Sequence, residues 1–475
     1  MKKIKIIIQM FFIVIFLVSC QSTKNVLTGK QPQSKGEEFL VEKKNPLVVP
    51  PDFDELPIPD QDINSTKIPV ENESDFEKLL KEGNNQATNN KNNSSNTTEE
   101  SILKKIKKNT KIKKDLKKLL KENNTILESL GTSYKNSYTN RIIQKFINYS
   151  NIKIIGMGGS ILGSESIYEF LKDKIKKNFY FINNLKPKII IDNKKNINLI
   201  ISKSGNTLET ISNFNVHLKK KDKNIFITEN KNSYLTSLAN KLKAEIVHHN
   251  NFIGGRYSVL SEVGMLPAEL MGLNSKKFKQ LNNLVKNKKF INQLTANVAN
   301  TVYFLKQRKF NSIILNYDEK SNNLFKWYQQ LIAESLGKKG VGILPIISSM
   351  PMDNHSLMQL YLDGPKNNFF TFFYVKENNP KKIISGNILS THNYLKNKDL
   401  DKIIFSQKLA TENVFLKNNI PFRSFEIMKR DEKTLGELFC FFILETILIG
   451  RSLELNPYDQ PAVELIKKET KKILL

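Results

Sequence analysis

Short apolar runs alternate with amphipathic stretches along most of the chain from residue 152 onward. "IKIIGMGGS" (152–160) is an apolar run meeting a glycine turn, and "NLIISKSGNT" (198–207) is a second. "KNIFITEN" and "AEIVHH" follow, with helix-period stretches near 160–176, 207–220 and 233–243 between them. The pattern then recurs. "SIILNYD" (312–318), "NFFTFFYV" (368–375) and "PFRSFEIM" (421–428) predict strands, and 321–336, 400–418 and 433–451 predict helices. A last amphipathic helix is predicted near 461–473. Continuous apolar strands alternating with helices predict α/β architecture: two doubly wound parallel sheets of similar build. In such sheets a ligand sits beyond the carboxyl ends of the strands, where these glycine turns lie.

The first hundred residues read differently. "MKKIKIIIQMFFIVIFLVSC" places lysines before an apolar run too short for a membrane span, and ends at Cys20. The ending resembles a bacterial lipobox, so residues 1–20 are expected to be a lipoprotein-type signal, with a possible membrane tether at Cys20. "EEFLVEKKNPLVVPPDFDELPIPD" (37–60) is proline-rich and resembles a segment of short outer-membrane lipoproteins. Residues 83–100 carry almost no apolar side chains and are expected to be disordered linker. Residues 21–100 are therefore expected to be largely extended or disordered, and 101–150 a helical lead-in.

The net charge of +28 invites a nucleic-acid reading, but the lysines are dispersed among asparagines and isoleucines. The one dense run, "SILKKIKKNTKIKKDLKKLLK" (101–121), is threaded by Ile106, Ile112, Leu116 and Leu119. That spacing predicts a packed helix with a solvated basic face, so no nucleic-acid partner is expected. Two cysteines, Cys20 and Cys440, exclude a disulfide framework or a cysteine-based zinc site. His248 and His249 are adjacent on a predicted strand and so face opposite ways. No metal or cofactor is expected.

The glycine turns carry the chemistry. "GMGGSILGS" fails the dinucleotide fingerprint, because Ile161 stands where the last glycine belongs, and it lacks the P-loop lysine. What remains is a glycine turn entering a helix, where backbone can approach a ligand closely. In "SKSGNT", Ser202, Ser204 and Thr207 supply hydroxyls and Lys203 a compact cation, beside Gly205 and a helix N-terminus. A phosphate monoester, with its acceptor oxygens and near-double charge, matches that set.

Four further segments complete a pattern: "GGRYSVLSEVGMLP" (254–267), "LIAESLGKKGVGILP" (331–345), "MDNHSLMQLYLDGP" (352–365) and "NPYDQPAVELIKK" (456–468). With the two turns they resemble the glucose-6-phosphate isomerase family over about 130–475. The resemblance implies two sugar-isomerase (SIS) subdomains, 151–295 and 296–452, and a C-terminal helical arm, 453–475. It implies interconversion of glucose 6-phosphate and fructose 6-phosphate through ring opening and an enediol(ate), and a homodimer. It assigns Glu334 as the base, Arg256 as the partner of the enediolate, and His355 and Lys467 to ring opening, with His355 reaching the partner subunit's site. Gly158, Gly159, Ser160 and Gln460 should lie against the sugar, and Ser202, Lys203, Ser204 and Thr207 should hold the phosphate. Residue chemistry agrees at Glu334. A carboxylate in the last turn of its helix opposes the dipole, a placement that suits a proton acceptor rather than a stabilising charge. Asp353 and Ser356 offer His355 orienting partners.

Other readings on the same architecture are a mannose- or amino-sugar-phosphate isomerase, or a non-catalytic sugar-phosphate-binding protein. The joint presence of Glu334, His355 and Lys467 argues against the last. A cytoplasmic isomerase conflicts with the leading signal, which a gene fusion would explain.

Overall fold

The computed structural model describes residues 109–185 and 196–475. Cys20 and the signal, proline-rich segment and linker expected over 1–100 lie outside the described residues. Two sheets, every strand pair parallel, organise the described chain. The first contains β1 (Asn151–Gly156), β2 (Asn178–Ile182), β3 (Asn196–Ile201), β4 (Lys223–Glu229) and β5 (Glu245–His249), in the order β2-β1-β3-β4-β5. The second contains β6 (Asn311–Asn316), β7 (Leu344–Ser349), β8 (Asn368–Val375) and β9 (Phe422–Ile427), in the order β7-β6-β8-β9. Thus the first four strands of each sheet follow one topology, and the first sheet adds β5 at its edge.

The central strands carry the clearest apolar pattern. β1, β3 and β8 are buried along their whole length, as central parallel strands covered on both faces must be. The pattern missed β2 and β7. Both are edge strands with exposed or half-buried positions, as are β5 and β9, which the pattern did find. On β5, His248 is exposed and His249 buried, as the two-residue period requires.

The expected helices form close to their predicted bounds: Leu162–Phe170, Leu208–His217, Tyr234–Lys241, Asn322–Leu336, Leu400–Lys417, Glu432–Ser452 and Val463–Leu474. Helix Glu432–Ser452 is buried on every side from Leu438 to Gly450, which marks a core helix. It packs on helix Asn322–Leu336, where the Trp327 and Phe439 rings meet edge-on at 4.8 Å. One apolar cluster takes in Ile152 and Ile197 of the first sheet, Ile314 and Phe373 of the second, and both helices. Each fully buried side chain of this kind contributes about 1.5–3 kcal/mol. Within the described part of the basic run, residues 109–119 are helical, burying Ile112, Leu116 and Leu119 and exposing Lys111, Lys114, Lys117 and Lys118. Among the described residues, no helix is long and apolar enough to cross a membrane.

Candidate active site

β1 and β3 end side by side, with Gly156 opposite Ile201 in register. Past β1 the chain turns through Gly158–Ser160. Gly158 has φ +52°, a left-handed conformation that favours glycine. A Cβ on Gly159 would stand 2.1 Å from the carbonyl carbon of Gly255 and 2.4 Å from the Arg256 nitrogen. Only glycine lets this turn touch the backbone that carries Arg256.

Past β3 the second turn gathers its hydroxyls. Ser202 Oγ and Thr207 Oγ1 lie 2.8 Å apart, and Ser204 Oγ accepts from the Asn206 amide at 3.2 Å. Gly205 has φ +66°, and a Cβ there would collide with Ser233 Oγ. Thr207 precedes helix Leu208–His217 but makes no side-chain capping bond, so capping does not account for it. The Lys203 ammonium donates to the Asn251 carbonyl at 2.9 Å and lies 3.6 Å from Glu229. Burial lowers its pKa below the usual lysine value; the Glu229 carboxylate opposes this, and the charge of Arg256 adds to it.

Arg256 is the hub of the site. Its side chain is 2% exposed, and all five of its N–H donors are used. Nε donates to Ser335 Oγ (2.8 Å), and Nη1 donates to Glu334 Oε2 (3.1 Å) and Gln460 Oε1 (2.7 Å). Nη2 donates to the carbonyls of Pro457 (2.7 Å) and Asp459 (3.1 Å). Trp327 Nε1 donates to the Arg256 carbonyl at 3.1 Å, fixing the backbone as well. One guanidinium therefore joins the first sheet's loop, the last turn of helix Asn322–Leu336 and the segment leading to the C-terminal helix. Glu334 keeps 28% of its side chain exposed, so its carboxylate is oriented yet open to a ligand.

The structure thus brings together Gly158, Gly159, Ser160, Arg256, Glu334 and Gln460, with the Ser202–Thr207 turn at the neighbouring strand end. It does not bring His355 or Lys467 to them within one chain. His355 ends the short turn Met352–His355, is exposed, and its side chain makes no hydrogen bond among the described residues. The orienting role expected of Asp353 and Ser356 is not seen. Asp353 instead accepts from Ser348 Oγ (2.8 Å), the Ser349 amide (2.7 Å) and Ser356 Oγ (2.7 Å), and so shapes the loop. Lys467 stands on the exposed helix Val463–Leu474 and pairs with Glu464 at 2.6 Å.

A profile of the phosphoglucose isomerase family matches residues 64–475. The chain belongs to this family. It is 33% identical over 340 residues to the glucose-6-phosphate isomerase of Methanocaldococcus jannaschii, covering 67% of this chain and 83% of that relative. It is 31% identical over 348 residues to the glucose-6-phosphate isomerase of Campylobacter jejuni, covering 68% and 85%. Among solved structures, a hypothetical protein from Thermus thermophilus aligns with TM-score 0.68 and 22% identity, over 79% of this chain and 96% of that one. A glucose-6-phosphate isomerase from Chlamydia trachomatis aligns with TM-score 0.59 and 19% identity, over 70% and 72%. These last two likenesses establish the shared fold.

Within this phosphoglucose isomerase framework, one residue escaped the sequence reading. Gln330 lies one turn before Glu334 on the same helix face. Its Nε2 stands 2.7 Å from where a Cβ on Gly158 would be, and its buried Oε1 has no hydrogen-bond partner. An unpartnered buried amide oxygen against a glycine turn is a group awaiting a donor. The i, i+4 spacing from Glu334 was the available signal.

Proposed function

We propose that the protein interconverts glucose 6-phosphate and fructose 6-phosphate, with Glu334 moving the proton between C2 and C1. The observation that carries this reading is the Arg256–Glu334 contact, a fixed cation 3.1 Å from an accessible carboxylate. Removing the C2 proton leaves negative charge on the open-chain sugar's oxygens. The base and the stabiliser of that charge must therefore act at the same place. Arg256 is preorganised by its other contacts, so little reorganisation accompanies charge development.

The substrate's other end fits the neighbouring strand end. Ser202, Ser204, Thr207 and the Lys203 ammonium are assigned to the phosphate, with the N-terminus of helix Leu208–His217 behind them. Gly158, Gly159 and Ser160 line the sugar, and Gln330 and Gln460 donate to or accept from its hydroxyls. Ring opening is assigned to His355 and Lys467. The working enzyme is then a homodimer in which His355 enters the partner's site. The exposure of His355 supports this, as do the uncovered apolar residues Leu465, Ile466 and Ile473 on the arm helix. A sugar phosphate is a dianion that does not cross a bilayer unaided, so the isomerase portion is assigned to the cytoplasm with its substrate. A tether at Cys20 concerns residues outside those described.

A coupled assay for glucose 6-phosphate formed from fructose 6-phosphate tests the reading, run beside mannose 6-phosphate and glucosamine 6-phosphate. Turnover of the fructose–glucose pair is expected to dominate. Preference for either other sugar would reassign the substrate, and no turnover of any would remove the enzyme reading.

A further inference from the structure

His249, the last residue of β5, has both ring nitrogens engaged and its side chain 1% exposed. Nε2 lies 3.1 Å from the Ile253 carbonyl oxygen, which can only accept, so Nε2 carries a proton. Nδ1 lies 2.7 Å from Glu262 Oε1, which also accepts the Asn250 amide at 2.8 Å. Nδ1 therefore faces an acceptor as well, and the ring is an imidazolium beside a carboxylate. Burial alone would push the Glu262 pKa up, but the His249 hydrogen bond and charge and the Asn250 amide together hold it below the usual range.

The pair clamps both ends of one turn. Glu262 takes the amide of Asn250, His249 holds the carbonyl of Ile253, and Ile253 N donates to Asn250 O. The carbonyl between them, on Asn251, receives the Lys203 ammonium. Gly254, Gly255 and Arg256 follow directly. We infer that His249, held as an imidazolium by Glu262, is a positioning residue that fixes this turn and so aims Lys203 at the phosphate. The inference rests on the reading that Ser202–Thr207 binds the phosphate.

Loss of the Nδ1 proton would set a lone pair against the Glu262 carboxylate and release the turn. Other charged and titratable groups surround the pair, and Lys135 lines the same pocket as His249 and Glu262. Tyr134 donates to Glu262 Oε2 at 2.8 Å, and its own pKa is raised by burial and by Glu262. Glu229, opposite His249 in register, is paired with Lys203 and Lys231. Lys279, pushed down to about 8 by burial, donates to the Leu260 carbonyl. Glu262 alone among them touches the ring. Glu334 and Arg256 are held by separate contacts, so weakened substrate binding, more than slowed chemistry, is the expected consequence.

The test uses the full chain. With ¹⁵N-histidine labelling, both ring nitrogens of His249 are expected to be protonated at neutral pH; a single neutral tautomer would overturn the inference without any variant. In kinetics, His249→Gln is expected to raise KM for fructose 6-phosphate about tenfold, the scale of one charge-assisted bond, with a much smaller fall in kcat. Glu262→Gln keeps the shape but removes the charge, so KM should rise as in His249→Gln; an unchanged KM counts against the pair. Lys203→Ala is run beside them. If it raises KM and His249→Gln does not, the phosphate reading stands and this inference falls. If neither raises KM, both fall. If His249→Gln acts as strongly in a Lys203→Ala background as in the unaltered protein, the link through Lys203 is wrong.

Discussion

The two sheets share a strand order and part company at their strand ends. Beyond β1 and β3 the first sheet places glycine turns and a cluster of hydroxyls. Beyond β6, at the matching position, stands Asp318. Arg430 grips it with both terminal nitrogens, at 2.6 and 3.2 Å, and Ser321 Oγ donates to it. Beyond β8, at the place matching the phosphate turn, stands Glu377, paired at 3.3 Å with Lys320. The second sheet's strand ends carry the protein's own ion pairs, buried at Asp318 and part-exposed at Glu377. Topology marks where a ligand can bind, and side chains decide whether that place is open or plugged. The second sheet serves the site instead through helix Asn322–Leu336, which brings Gln330 and Glu334 to the first sheet's turns.

The largest effect expected from this division is chemical. Glu334→Gln keeps the shape and the Arg256 contact but removes the proton acceptor. Isomerisation should fall about 10²–10⁴-fold, and exchange of the C2 proton with solvent should fall with it. Near-unaltered rates would remove the second sheet's helix from the chemistry.

Next comes the plug. Asp318→Ala leaves the Arg430 guanidinium, 6% exposed, without its carboxylate. Removing one partner of such a buried pair costs about 3–5 kcal/mol of folding stability. Denaturant titration should show that loss, while the folded protein keeps its kcat and KM. A raised KM with unaltered stability would mean that this end also meets the substrate.

The legibility of the chain follows the same division. Buried central strands such as "NLII" and "NFFTFFYV" announce themselves, because both faces are apolar. The edge strands β2 and β7, partly exposed, were missed, although the equally exposed edge strands β5 and β9 were found. The candidate site's two turns stood out in the sequence because glycines and hydroxyls crowded at a strand end have few structural uses. The plug did not, because Asp318 and Arg430 are 112 residues apart and each alone is an ordinary charge. Gln330, one glutamine on a helix face, and the His249–Glu262 pair, joined across two elements, became visible only through their partners. The Asp353 contacts show the reverse error: proximity in sequence to His355 did not make Asp353 its partner.

The smallest effect sharpens the open end. Thr207→Val removes the hydroxyl that meets both Ser202 and Ser204 and supports no cap. KM for phosphorylated sugars should rise by the equivalent of about 1.5–3 kcal/mol if that hydroxyl meets the phosphate, with the melting temperature nearly unchanged. Equal affinity in the variant would show this strand end to be as structural as its counterpart.

The five contacts of Arg256 also carry a consequence for biosynthesis. A ribosome makes the arginine some two hundred residues before Pro457, Asp459 and Gln460, which hold three of its five bonds. A nascent chain can complete the glycine turns and the first sheet while this guanidinium still lacks those acceptors. Translation products truncated before Pro457 should therefore fold in part yet lack isomerase activity, if Arg256 acts as proposed, because its guanidinium is not yet held in place. Order at this guanidinium thus waits on a segment made some two hundred residues after it.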